Sequence, residues 1–358
     1  MPQQMTGRER VLTAMRREVP DRVPKTFSLC PSQMERFQQE TGSNSPAEYF
    51  GFEMRGVGVD ETTKQTDFSP WHGPDPRYRI DEWGIGFFKT QSSMHFEEMV
   101  HPLQGPRSAG EIEGYPFPDL DQDYRYRGVK QKVDEYHRMG FAVVGSVSPV
   151  GGTIFWPPYK LRGMETLLMD FYDNSQVAEA LLDRVTELCC AMAEKLAACG
   201  VDIIHTADDL GTQENLMISR EMYCKWIKGR MAKVIASAKK INPDILVFFH
   251  SDGNVAELIP DFIEIGIDIL NPLQPECMDV DQIKKEYGKD LAFWGAVGTQ
   301  TTMPFGSAQE VRAVVKRRVE VIGKDGGFLI APTHLVEPEV PWENTLAFVE
   351  AVQEYGRY

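Results

Sequence analysis

Residues 201–254 read VDIIHTADDLGTQENLMISREMYCKWIKGRMAKVIASAKKINPDILVFFHSDGN. Two β-rich runs, Asp202 to Asp208 and Ile245 to His250, each end in polar residues and enclose MYCKWIKGRMAKVIASAKK, whose apolar residues recur at three- and four-residue spacing. An apolar strand, a helix and a second apolar strand make a parallel βαβ unit. Working outward, six more runs of this kind lie at Arg22 to Ser28, Met54 to Asp60, Phe141 to Val147, Asp268 to Leu273, Leu291 to Gly298 and Gly327 to Pro332. Helical patterns such as AQEVRAVVKRRVEVIG fall between most of them. Eight strands alternating with helices predict an α/β fold, a single (β/α)8 TIM barrel domain over residues 1–358.

Two segments break the alternation. TGRERVLTAM near the start offers Thr6 as N-cap and Glu9 three residues on, a capping box for a helix that closes the barrel floor. From about Asp67 to Pro118, after the second strand, the chain is rich in Pro, Gly and aromatic residues, with strand-like alternation around Ile80 to Lys89. This reads as an inserted hairpin with loops, placed to act as a lid.

Composition excludes several classes of function. With 38 Lys plus Arg against 53 Asp plus Glu, the formal net charge is −15, so nucleic acid and anionic membranes are repelled by most of the surface. The start MPQQMTGRER lacks the apolar core of a signal peptide, and no stretch has the roughly 18 apolar residues of a membrane span, so a cytoplasmic location is expected. The six cysteines show no CxxC spacing and read as reduced thiols.

In a barrel of this kind reactive groups sit where strands end and βα-loops begin. The polar residues of this chain collect there: Asp60, Ser146 and Ser148, Asp208 and Asp209, His250 and Asp252, Asn271, and His334 just beyond the last strand. His250 and Asp252 are two apart on an extended segment, so both can face one ligand, with His334 converging on it. Two imidazoles and a carboxylate suit zinc with an open fourth position, or a facial-triad iron. Asp252 ahead of GNVAELIPDFIEIG also suits a helix N-cap, which needs no metal. Likewise Asp208, Asp209 and Gln213 of TADDLGTQ either hold a substrate or cap a helix. Phe155, Trp156 and Tyr159 of GGTIFWPPYKL offer a hydrophobic substrate wall or simple core packing. His72, His95, His101, His137 and His205 show no ligand spacing.

VPDRVP, ADDLGTQENLMISREMYCKWIKGRM, FFHSDGN, WGAVGTQTTMPFGSAQEVRAVVKRRVEVIG and APTHLVEPEVPWENTLAFVEAV together resemble the uroporphyrinogen decarboxylase superfamily. That superfamily holds porphyrinogen decarboxylases and cobalamin-dependent methyltransferases. The decarboxylases carry an arginine-rich RQAGR segment near the first strand that gathers substrate propionates, and here the region reads KTFSLCPSQMERF. Without that cluster an eight-carboxylate tetrapyrrole loses its charge-assisted hydrogen bonds. The zinc methyltransferases carry a His-x-Cys pair and a later Cys in a PGC context. The matching positions here are His250, Asp252 and, in APTH, His334, each again a metal ligand.

The resemblance therefore implies the corrinoid-dependent methyltransferase branch, with zinc or another divalent metal on His250, Asp252 and His334. One carboxylate and two imidazoles make that metal more Lewis acidic than two thiolates would, suiting an O- or N-methylated small molecule as methyl donor. No Asp-x-His-x-x-Gly cobalamin signature occurs, so cobalamin is expected on a separate corrinoid protein. Asp60 aligns with the family's catalytic aspartate, and Asp208 and Asp209 join it as catalytic candidates, with Gln213, Phe155, Trp156, Tyr159 and Asn271 as substrate-binding candidates. A homodimer is implied as well. A decarboxylase or lyase of a smaller acid using Asp60, with His334 near the substrate, and a non-catalytic binding barrel are the competing classes.

Overall fold

Seven of the eight expected runs hydrogen-bond, in chain order, into one parallel sheet in the computed structural model, which describes residues 4–73, 77–90, 97–105 and 107–358. The strands are β1 (Met54–Val57), β5 (Ala142–Ser146), β6 (Ile203–Ala207), β7 (Leu246–His250), β8 (Ile269–Leu273), β9 (Ala292–Val297) and β10 (Phe328–Pro332). Between β1 and β5 the chain leaves for a separate antiparallel sheet of β2 (Arg79–Ile80), β3 (Gly86–Phe88) and β4 (Glu98–Val100). Residues 74–76, 91–96 and 106 of the expected 67–118 insertion lie outside the described residues, as does His95.

The sheet curls around its own apolar side chains. Met54, Ala142, Ile203, Leu246, Ile269, Ala292 and Leu329, from near the starts of all seven strands, share one buried cluster with Val11, Ala14 and Met15 of helix Gly7–Met15. The helix thus plugs the end where the strands begin, and its Thr6–Glu9 capping box is formed as the sequence predicts. The opposite end, where the strands finish, is left for the polar residues.

The first expected run departs from the prediction. Arg22 to Ser28 meets β10 at one isolated parallel bridge, Lys25 to Ile330, and a second follows just beyond both, Leu29 to Val336. On its other side no ladder to β1 forms among the described residues; the Lys25 N–H meets the Glu53 carboxylate at 3.4 Å instead of a backbone carbonyl. Glu53 is buried in that seam by cations, with Arg22 at 2.9 Å and Arg10 at 3.6 Å. A side chain held there occupies the space of backbone rungs.

β8 carries a local defect of another kind. Its register with β9 slips between Leu270 and Leu273, where Pro272 has no N–H to give a ladder. The side chain of Asn271 takes over, its Nδ2 donating to the Trp294 carbonyl at 3.3 Å.

Candidate metal and substrate site

Loops after β6 and β7 lie against each other with no room for side chains. A Cβ on Gly211 would sit 2.7 Å from the Asn254 nitrogen and 2.8 Å from the Asp252 oxygen, and one on Gly253 (φ +85°) 2.6 Å from the Gly211 carbon. Asn254 N–H donates to the Thr212 carbonyl at 2.7 Å and Asp252 N–H to Asp209 Oδ1 at 3.0 Å. This interlock, which the linear sequence does not display, brings Asp209 beside the His250–Asp252 pair. Ser251 and Gln274 brace it, accepting from the Leu210 and Gly253 N–H groups.

The donor atoms of Asp209, His250 and Asp252 all lie within 4.8 Å of one another. His250 Nε2 is 3.6 Å from Asp209 Oδ1 and 3.7 Å from Asp252 Oδ2. His334 stands one step out, its Nε2 3.8 Å from Asp252 Oδ2 and its ring centroid 6.4 Å from that of His250. The compact trio therefore includes Asp209, and His334 faces the same carboxylate from the cavity mouth.

Asn271 fixes the histidine. With Nδ2 committed to Trp294, its Oδ1 accepts from His250 Nδ1 at 2.6 Å, so the Nε2 lone pair of a neutral ring points at the carboxylates. Burial works against a charged His250, but the nearby carboxylates of Asp252 and Asp209, with the Asn271 hydrogen bond, prevail and hold its pKa up to about 9. Burial raises Asp209. Asp252 is also opposed by burial, yet the His250 ring holds it below the usual carboxylate range. A protonated imidazole between two carboxylates is the arrangement a divalent cation can replace. Nitrogen and oxygen donors of this type, with Nε2 pre-aimed, fit zinc or a similar divalent ion.

His250, Asn271 and His334 line a cavity of about 430 Å³. Its lining includes His205, Phe248 and Trp294 with hydroxyls from Thr26, Ser28 and Thr333, and none of its described lining residues is an arginine or a lysine. His205 stacks on Phe248 at 4.8 Å, and Trp294 meets Phe248 edge-on at 4.8 Å. Burial, helped by His250, pushes His205 down to about 4, so it is a neutral part of an aromatic floor.

Several expected site residues lie elsewhere. Asp60 is a helix cap, accepting the Gly128 N–H at 3.0 Å at the start of helix Arg127–Arg138, and is absent from the cavity lining. Asp208 is fully buried and accepts four backbone N–H groups, from Thr153, Ile154, Phe155 and Trp156, at 2.9–3.3 Å. Burial raises its pKa to about 7 against the pull of those donors. It is a loop anchor, because neighbouring residues leaving a strand point to opposite sides, and Asp209 is the one turned to His250. Phe155 is core. Trp156 and Tyr159 pack together at 5.0 Å beyond the lining, so Phe248 and Trp294 form the aromatic surface in their place. Gln213 accepts from the Cys277 thiol at 3.2 Å outside the cavity. His72, His101 and His137 each bond to structural partners: Tyr78 and Gly84, Lys160, and Asp202.

The profile of the uroporphyrinogen decarboxylase (URO-D) family matches residues 156–355. The chain belongs to the uroporphyrinogen decarboxylase family. Among relatives, a uroporphyrinogen decarboxylase of Pseudomonas fluorescens is 24% identical over 282 residues, covering 76% of this chain and 75% of that one. The methylcobamide:CoM methyltransferase MtaA of Methanosarcina barkeri is 25% identical over 183 residues, 51% of this chain and 50% of its own. In structure, a methyltransferase from Methanosarcina mazei superposes with a TM-score of 0.70 at 19% identity, covering 98% of this chain and 99% of that one. That likeness establishes a shared fold across essentially the whole chain.

Proposed function

We propose that this family member is a metal-dependent methyltransferase that moves a methyl group between an O- or N-methylated small molecule and a corrinoid protein. The observation that carries the reading is the donor trio Asp209, His250 and Asp252, whose His250 lines an aromatic-floored cavity. These three would hold a divalent metal, most simply zinc, with His334 beside them as a further donor. When bound, such a metal supplies Lewis acidity toward an ether oxygen or amine nitrogen. Asn271 keeps His250 Nε2 turned to the trio. Phe248 and Trp294 exclude water from the floor, and Thr26, Ser28 and Thr333 offer hydroxyls to polar substituents. With no arginine among its described lining residues, the cavity is a poor receptor for a tetrapyrrole with eight carboxylates, which argues against porphyrinogen decarboxylation.

The test incubates the metal-loaded protein with cob(I)alamin and a panel of methoxylated aromatics, methylated amines and thiols, following the visible spectrum for methylcobalamin. Methylation by an O- or N-methyl donor is expected, with loss in His250→Ala and Asp252→Ala. Should no donor methylate cobalamin or a corrinoid protein while a small carboxylic acid releases CO2, decarboxylation replaces transfer.

A further inference from the structure

A chain of hydroxyls behind the cavity wall fixes the hydrogen-bond polarity of one lining ring, that of His205. Thr153 Oγ1 donates its only proton to the Val147 carbonyl at 3.0 Å and accepts the Ala207 N–H at 3.0 Å. Ser148 Oγ lies 3.3 Å from Thr153 Oγ1, so Ser148 is the donor of that pair. His205 Nδ1 lies 3.4 Å from the same Ser148 Oγ, which has no proton left to give. Nδ1 therefore carries the ring hydrogen, and Ser148 accepts it.

Burial first, and then the field of His250, keeps the ring neutral, which leaves its other nitrogen, Nε2, a bare acceptor. Nε2 has no protein partner among the described residues, yet it is not fully buried, and His205 belongs to the cavity lining. The ring is held in place by stacking on Phe248 at an interplanar angle of 24°. In the ladder of β6 with β7, His205 pairs with Phe248 and Ala207 with His250. The acceptor is thus two strand residues, about 7 Å, nearer the floor than His250, a gap that one aromatic ring with a substituent at each end can bridge.

We propose that His205 is a specificity-determining residue, its Nε2 selecting an uncharged aromatic substrate whose hydroxyl donates to it while the far, reacting end lies at His250. Phe248 and Trp294 give the ring between them an apolar surface, and no carboxylate, arginine or lysine is among the described lining residues to favour a charged group. An analogue without the hydroxyl leaves Nε2 desolvated and unpaired, and that penalty is what discriminates. Which end reacts rests on the proposed function, but the hydrogen-bond selectivity stands apart from it.

Calorimetric titration of the purified protein, without cobalamin, with para-methoxyphenol and para-methylanisole tests the assignment, since the second compound carries a methyl where the first has its hydroxyl. Wild type should favour para-methoxyphenol by about fivefold or more, the size of one net hydrogen bond. His205→Phe keeps an aromatic ring against Phe248 and removes the acceptor; it should erase the preference while binding para-methylanisole within about twofold of wild type, a control that it is folded. His205→Gln, with a carbonyl oxygen to accept, should keep part of the preference. Heteronuclear NMR of the wild-type ring nitrogens is an independent readout: the His205 proton should sit on Nδ1, and para-methoxyphenol alone should shift Nε2. A proton on Nε2, equal affinity for the two compounds in wild type, binding of neither, or an unchanged preference in His205→Phe would each overturn the proposal. Methyl transfer to cob(I)alamin is scored separately: no transfer with the preference intact removes the methyltransferase reading alone, and transfer without the preference removes the His205 assignment alone.

Discussion

Gly211→Ala is the sharpest perturbation available, because it adds one methyl to the interlock and removes no donor. Gly211 is not at a positive φ, so its replacement is a steric experiment with no conformational penalty mixed in. The new Cβ would meet three backbone atoms of residues 252–254 at 2.7–2.8 Å, and backbone cannot swing aside as a flexible side chain does. Restoring ordinary contact parts the two loops by about 0.6 Å, several times the roughly 0.2 Å tolerance of a metal–ligand distance. Asp209 and Asp252 sit on opposite loops, so the trio opens. A loss of about 10- to 100-fold in metal affinity follows, the range found when groups that orient ligands are disturbed. Overpacking adds about 1–3 kcal/mol of destabilisation. Competition with a chromophoric chelator measures the first quantity and denaturant unfolding the second. Gly229→Ala, where a Cβ meets nothing within 4 Å, is the control and should leave both unharmed. Metal affinity of Gly211→Ala within about twofold of wild type would refute the claim that this contact sets the donor geometry.

Purified protein should hold about one divalent ion per chain, and Asp209→Ala, His250→Ala and Asp252→Ala should each deplete it, with His334→Ala retaining more than any of them; equal content in all samples by elemental analysis would discard the trio. Metal affinity should rise with pH up to about 9 and then level, because the metal-free His250 keeps its proton below that pH and must surrender it on binding; proton release in buffers of differing ionisation enthalpy reads this directly. Asp60→Ala should cost about 1 kcal/mol as a lost helix cap and leave metal content unchanged, measured by urea unfolding beside elemental analysis. Asp208→Ala should destabilise by several times as much, about 3–5 kcal/mol, since four backbone donors would lose their buried acceptor.

Seven strands were legible because an apolar run ending in polar residues is a local signal, and the N-terminal capping box was legible for the same reason. The run at Arg22 to Ser28 carried that signal too, yet its neighbour in space is the Glu53 side chain, and no spacing rule reports what a residue 28 positions away inserts into a seam. At the site, the two-residue period placed His250 and Asp252 on one ligand-facing side. The same period could not choose between Asp208 and Asp209, since either could have been the one turned inward; the structure turns Asp208 to the amides of residues 153–156. Asn271, a substrate-contact candidate in the sequence, lines the cavity and also aims His250, a role that goes with the irregular register of β8 with β9. The Gly211–Gly253 contact joins two loops about 40 residues apart and has no one-dimensional signature.

The seam sealed by Glu53 gives the wall a weak meridian. Elsewhere around the curl, separating two neighbouring strands means breaking successive amide-to-carbonyl rungs together, which is cooperative and rare. Between residues 22–28 and β1, the polar contacts are those of one carboxylate with Arg22, Arg10 and the Lys25 amide, and the rest is side-chain packing such as Phe27 on Phe52 at 4.8 Å. Local opening of the curled sheet is therefore expected to begin along this line, as faster amide exchange in residues 22–28 than in β5 to β9 would register. Thr26 and Ser28, which line the cavity, belong to this run, so such an opening would lead into the interior through the side of the wall as well as through its mouth.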